Sequence, residues 1–125
     1  MKHWIASNNI YFVMSEDLLN IVEQSKFLNQ IYKSRLNTGD IIILKTNNSV
    51  YCIKFMGNDE YIVSGGWFDK NNLSPVTTTI QGCTWGGSII KVDIVAACGL
   101  HLEFGNKVVT SKIKKIFHIP NHRFN

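Results

Sequence analysis

From Asp40 onward the apolar residues recur with a period of two, and asparagine and glycine clusters break the runs. Alternate side chains on a strand point to opposite faces, so this pattern confines the stretch to strands joined by tight turns. Asp40-Ile41-Ile42-Ile43-Leu44-Lys45-Thr46 reads as one strand. Asn47-Asn48 fits a turn because asparagine tolerates positive φ, and Val50-Tyr51-Cys52-Ile53-Lys54-Phe55 returns. Gly57-Asn58-Asp59 turns again and Tyr61-Ile62-Val63-Ser64 completes a meander of three strands. Gly65-Gly66-Trp67-Phe68 follows, and the polar stretch from Asp69 to Pro75 reads as a mobile loop.

The second half repeats the pattern less regularly. Val76-Thr77-Thr78-Thr79-Ile80 is a β-branched strand, interrupted by Gly82-Cys83-Thr84-Trp85-Gly86-Gly87-Ser88 and resumed over Ile89 to Val95. Leu100, Leu102 and Phe104 alternate with His101 and Glu103, and Gly105-Asn106 turns the chain back into Val108-Val109-Thr110. Lys112 to Ile119 reads as a strand, with Ile113, Phe117 and Ile119 on one face and Lys112, Lys114 and His118 on the other. A short helix grouping Ile113, Ile116 and Phe117 is the alternative, and Pro120 ends either form.

Ahead of the meander, Ile10 to Met14 reads as a buried strand. Ser15 then reads as an N-cap, with Glu16 and Asp17 in the first turn, where the helix dipole favours acids. Leu18, Ile21, Val22, Ser25, Leu28, Tyr32 and Leu36 recur at helical spacing, and Asn37-Thr38-Gly39 supplies the stop. The expected fold is α+β: a mostly antiparallel sheet curled toward a small barrel, with one N-terminal helix packed on it.

With 125 residues the chain is read as a single domain over 1–125. Charged residues make up 18%, below the roughly 25% of average soluble domains, which points to surface covered in a homo-oligomer, the alternative being an asparagine-rich surface that substitutes for charge. No run approaches the roughly 18 apolar residues of a membrane-spanning helix, and Met1 to Asn9 lacks the apolar core of a signal peptide, so no membrane partner and a cytoplasmic location are expected. Cys52, Cys83 and Cys98 are too scattered for a disulfide framework or a metal motif and read as free thiols. The net charge is +4. Lys107, Lys112, Lys114, Lys115 and Arg123 concentrate the excess near the C-terminal end, which suits an anionic partner or a strand edge guarded by lysine.

Two clusters pair glycine with tryptophan: Gly65-Gly66-Trp67-Phe68 and Trp85-Gly86-Gly87-Ser88. Glycine exposes backbone N–H groups and lets a ligand approach closely, while an indole offers a stacking face. The ligand-binding set read from this pattern is Trp67, Phe68, Trp85, Gly86, Gly87 and Ser88, with Arg35, Lys112 and Lys114 as the cations. The packing alternative is that the glycines mark sheet corners and the tryptophans fill a core or an interface. There is no P-loop or G-x-G-x-x-G, so no cofactor is expected. His101 and Glu103 share a strand face without a third ligand, and Pro120 separates His118 from His122, so no metal site is read. Nothing selects a nucleophile or an acid–base pair, so no enzymatic activity is expected.

Thr79 to Ser88 and Leu102 to Ser111 resemble a block in small bacterial and prophage proteins. In size and lay-out the chain is similar to the viral sponges that sequester cyclic ADP-ribose-type signals of the Thoeris defence. That resemblance implies a non-enzymatic oligomer in the bacterial host cytosol, enclosing a nucleotide and countering anti-phage defence. It assigns no individual residue. The leading expectation is therefore a non-catalytic oligomer that sequesters a small anionic nucleotide-like ligand. The alternatives are a small β-barrel binding single-stranded nucleic acid and a structural interaction module.

Overall fold

The computed structural model describes residues 2–4, 13–15, 28–87 and 89–121. In chain order the strands are β1 (Lys2–Trp4), β2 (Val13–Ser15), β3 (Gln30–Tyr32), β4 (Ile41–Thr46), β5 (Val50–Gly57), β6 (Glu60–Gly65), β7 (Val76–Thr78), β8 (Ile80–Thr84), β9 (Ile89–Lys91), β10 (Ile94–Ala97), β11 (His101–Phe104) and β12 (Ile113–Ile119). A short helix, α1 (Gly66–Lys70), follows β6. All pairings are antiparallel. The largest sheet runs β12-β4-β5-β6-β7, a second runs β11-β8-β9, and β10 pairs with β3 and β1 with β2.

The period-two reading of the meander holds. Leu44 stands opposite Tyr51 and Tyr51 opposite Gly65, while Ile42 stands opposite Ile53 and Ile53 opposite Val63. Directly opposed residues share a face, and Ile42, Leu44, Tyr51, Ile53 and Val63 are all buried in the main core. Each such side chain contributes roughly 1.5–3 kcal/mol through burial. Leu102, Phe104, Ile80 and Cys83 face them from the second sheet, and Ile94 to Ala97 of β10 complete the core. Tyr51, Phe68 and Phe104 join the two sheets, with Phe68 edge-on to both other rings at centroid separations of 6.2 and 5.1 Å.

Two expectations are corrected. The sheets do not close into a barrel: the chain passes from β7 in one sheet to β8 in the other through the single residue Thr79. The N-terminal helix is not seen. Its stretch over residues 16–27 lies outside the described residues, as does 10–12 of the preceding strand, but its two ends are β structure and a tight turn. Among the described residues of that stretch, Ser15 closes β2, Leu28 bridges to Ile116, and Lys33–Arg35 forms a 3-10 turn. Gln30-Ile31-Tyr32 alternates exposed, buried, exposed and pairs with Ala97, Ala96 and Ile94. Partners across the molecule have overridden the helical spacing.

Lys112 to Ile119 takes the strand form in β12. A register shift between Ile113 and Lys115 changes the phase, so Ile113 and Ile116 both enter the main core. The polar loop after Phe68 begins as α1. Its carbonyls are taken by Asn71 N–H on Trp67, Asn72 N–H on Asp69 and Leu73 N–H on Phe68, at 3.1, 3.1 and 2.8 Å.

Candidate ligand-binding cleft

Beyond the core row of Leu44 and Tyr51, β4 and β5 end in the turn that the two asparagines mark. Thr46 is buried and organises it. Its Oγ1 accepts from Ser49 N–H at 3.0 Å and from the Ser111 hydroxyl at 2.8 Å, and donates to the Ser49 carbonyl at 3.1 Å. Asn47 N–H reaches the Lys112 carbonyl at 3.0 Å, and Asn48 N–H reaches Ser111 Oγ at 3.2 Å. The turn's amides are thus tied to the chain entering β12, and the Asn47 and Asn48 side chains stand outward.

Across from the turn, the chain leaves β6 through Gly65 and Gly66 and winds into α1. Both glycines have positive φ, 101° and 47°. A side chain on Gly65 would strike the Val50 carbonyl, and one on Gly66 would strike the Tyr51 ring. Trp67 N–H donates to the Tyr51 hydroxyl at 3.1 Å, and Asp69 Oδ1 accepts from Gly65 N–H at 3.1 Å. Burial pushes the Tyr51 hydroxyl above its ordinary pKa, with the Trp67 amide pulling the other way, so it remains a neutral phenol.

Between these two walls lies an open cleft of about 520 Å³, lined by Lys45, Thr46, Asn47, Asn48, Ser49, Val50, Gly66, Asp69 and Lys70. Lys45 and Lys70 against Asp69 leave one net positive charge on the lining. Both lysines are exposed, so their ammonium groups present compact, hydrated positive charge beside neutral amide and hydroxyl groups. This arrangement can neutralise an anion and hydrogen-bond its oxygens.

The residues singled out in the sequence fall in different places. Trp67 adjoins the cleft through Gly66 and is 41% exposed. Lys112 adjoins it through the Asn47 amide and is exposed. Phe68 is fully buried and anchors α1 to the core. Lys114 is exposed further along β12, where its carbonyl accepts from Cys98 Sγ at 3.5 Å. Arg35 ends the 3-10 turn after β3, outside the lining. Ser88 lies outside the described residues.

Trp85, Gly86 and Gly87 sit at the end of β8 where Thr84 faces His101. Phe104, which carries Phe68, faces Ile80 at the opposite end. Five residues of strand span roughly 16 Å, so the two glycine–tryptophan clusters mark opposite ends of β8. The Gly86 and Gly87 amides both donate to Thr84 Oγ1, at 3.0 and 3.2 Å. They serve the turn itself.

Lys45, Lys70, Asn47, Asn48, Ser49 and Asp69 were not read as site residues from the sequence. Their signals were a lysine near the end of an apolar strand, a turn and a polar loop, and it is the pairing of β4 with β5 and of β5 with β6 that brings those together. His101 and Glu103 do share a half-buried face, with His101 Nδ1–H on the Thr110 carbonyl at 2.8 Å. No cluster of three metal-ligating side chains occurs among the described residues. Cys52 and Cys83 are buried and Cys98 half-buried; burial raises all three thiols, Cys83 to about 11, so they stay protonated. Among the described residues, no helix is long and apolar enough to cross a membrane. Comparison with protein-family models, curated proteins and solved structures returns no match.

Proposed function

We propose that the protein binds a small anionic, nucleotide-like ligand in the cleft between the β4–β5 turn and α1, and leaves it chemically unchanged. The observation that carries this reading is the convergence of Lys45 and Lys70 on a row of polar side chains, Asn47, Asn48 and Ser49. The lysines would neutralise phosphate and the amides would hydrogen-bond phosphate or sugar oxygens. Trp67, beside the cleft, supplies an exposed ring for the base, and Lys112 adds charge on the β12 side. The ring partner and cations read from the sequence thereby narrow to Trp67 and Lys112. Sequestration of a cyclic ADP-ribose or cyclic nucleotide signal is the biological role that goes with such binding.

Thermal unfolding with ADP-ribose, cyclic ADP-ribose and cyclic dinucleotides tests this. A binder raises the melting temperature in proportion to the logarithm of ligand concentration. The ligand should be recovered intact after heat denaturation. Lys45→Ala with Lys70→Ala should abolish the shift while leaving the melting temperature of the free protein within a few degrees, because both side chains are exposed. No shift from any of these probes at millimolar concentration overturns the reading, and recovery of a cleaved product replaces it with an enzymatic one.

A further inference from the structure

The three-stranded sheet ends in an edge that ligand binding leaves without a role. Among the described residues, β9 is outermost in the order β11-β8-β9, and its main packing partner is β8. An open edge presents unpaired backbone groups to any other strand, and proteins guard such edges with charge or proline. Ile89-Ile90-Lys91 carries one charge and no proline. β7, at the edge of the larger sheet, differs: Pro75, which has no N–H to offer, immediately precedes it.

The β9 edge is flanked at both ends by the most exposed large apolar side chains among the described residues, Trp85 at 65% and Val92 at 63%. Trp85 is held on a fixed tip, because the two following amides are bound to the buried Thr84 side chain. Because the backbone that carries the indole is already ordered, contact there costs little main-chain freedom. Gly87, two residues on, is demanded neither by its φ nor by a neighbour, since a side chain there meets nothing within 4 Å among the described residues. The bare backbone leaves room for a partner beside the indole.

We propose that β9 pairs antiparallel with β9 of a second copy of this chain, about a two-fold axis. Reversal of one strand against the other brings the Trp85 end of each copy beside Val92 of its partner copy, so both exposed apolar residues are covered together. A two-fold interface must complement itself. Lys91 and Asp93, both exposed, give this edge one charge of each sign, so the copies meet there without the repulsion that a net +4 imposes elsewhere. The low charged fraction of 18% accords with a surface covered in this way.

Sedimentation equilibrium across a concentration series tests the proposal without reference to any ligand. The wild type should move from the mass of one chain toward that of two as concentration rises. Val92→Glu and Trp85→Ser should each raise the dimer dissociation constant by about tenfold or more. Thr77→Lys, on the β7 edge, should leave it unchanged. All three side chains are exposed, so circular dichroism and melting temperature should match the wild type. A single-chain mass at the highest concentration overturns the proposal. So does a dimer that survives Val92→Glu and Trp85→Ser, or one that Thr77→Lys disrupts equally.

Discussion

At Gly65 the backbone adopts φ 101° and ψ 179°, a conformation essentially restricted to glycine. Its amide is held by Asp69 Oδ1 and Ser74 Oγ, so the chain cannot relax without losing both bonds. A methyl group there would also enter the Val50 carbonyl. Gly65→Ala should therefore lower the unfolding free energy by more than about 2 kcal/mol in a denaturant titration. Gly87→Ala, with open space around it, should change it by less than about 0.5 kcal/mol. Equal losses at the two positions would sink this account. In the sequence the two clusters look alike, glycine doublets beside tryptophan. What distinguishes them is spatial: Val50 and Tyr51 lie against one doublet, and among the described residues nothing lies within 4 Å of a side chain placed on the other. The identity of the residues was legible and their surroundings were not.

At the scale of elements, Asp40 links the start of β4 to the end of β12. The carboxylate is buried; Oδ2 accepts from His118 Nε2–H at 2.8 Å and from Asn37 N–H at 3.0 Å, while Oδ1 accepts from Asn121 N–H at 2.8 Å. Burial alone would raise its pKa. The Asn37, His118 and Asn121 hydrogen bonds, with the His118 charge, outweigh it and hold the carboxyl below its ordinary 3.8. A depressed carboxyl pKa stabilises the fold at pH values above 3.8, and that contribution drains away as pH falls through the lower folded value. Asp40→Asn should cost about 2–3 kcal/mol at pH 7. The gap from wild type, followed by urea titration between pH 7 and pH 2.5, should narrow at the acid end. A gap independent of pH would assign the loss to packing. The strands on either side of this clamp were legible because β-branched and alternating residues fill them. At the described end of the helix expected before Asp40, Leu28, Tyr32 and Leu36 satisfy helical spacing, but Ile31 between exposed neighbours satisfies strand spacing equally, and the partners on β10 decide. The cleft was illegible for a related reason. Lys45 and Lys70 are 25 residues apart in sequence, and it takes two strand pairings to bring their segments to one opening.

For the molecule as a whole, the decisive contact is the aromatic trio where the sheets meet. Tyr51 comes from the five-stranded sheet, Phe104 from the three-stranded one and Phe68 from α1, and the core around them continues without interruption into β10. Neither sheet can bury its inner face without the other, so they should unfold together. Phe104→Ala removes the one ring that the three-stranded sheet contributes to the trio and should cost about 3–5 kcal/mol, the range for deleting a buried phenylalanine. Because α1 is held through Phe68, the same substitution should also weaken the wall of the cleft that carries Lys70, although Phe104 lines no part of it. Two probes separate the contributions. Tryptophan fluorescence follows Trp67 and Trp85 near the two ends of β8, together with Trp4 of β1, while far-ultraviolet circular dichroism follows the strands. In the wild type and in Phe104→Ala the two urea transitions should coincide, displaced together to lower urea in the variant. Separate midpoints in the wild type would mean that each sheet holds its own fold, and the cleft would then depend on the larger sheet alone.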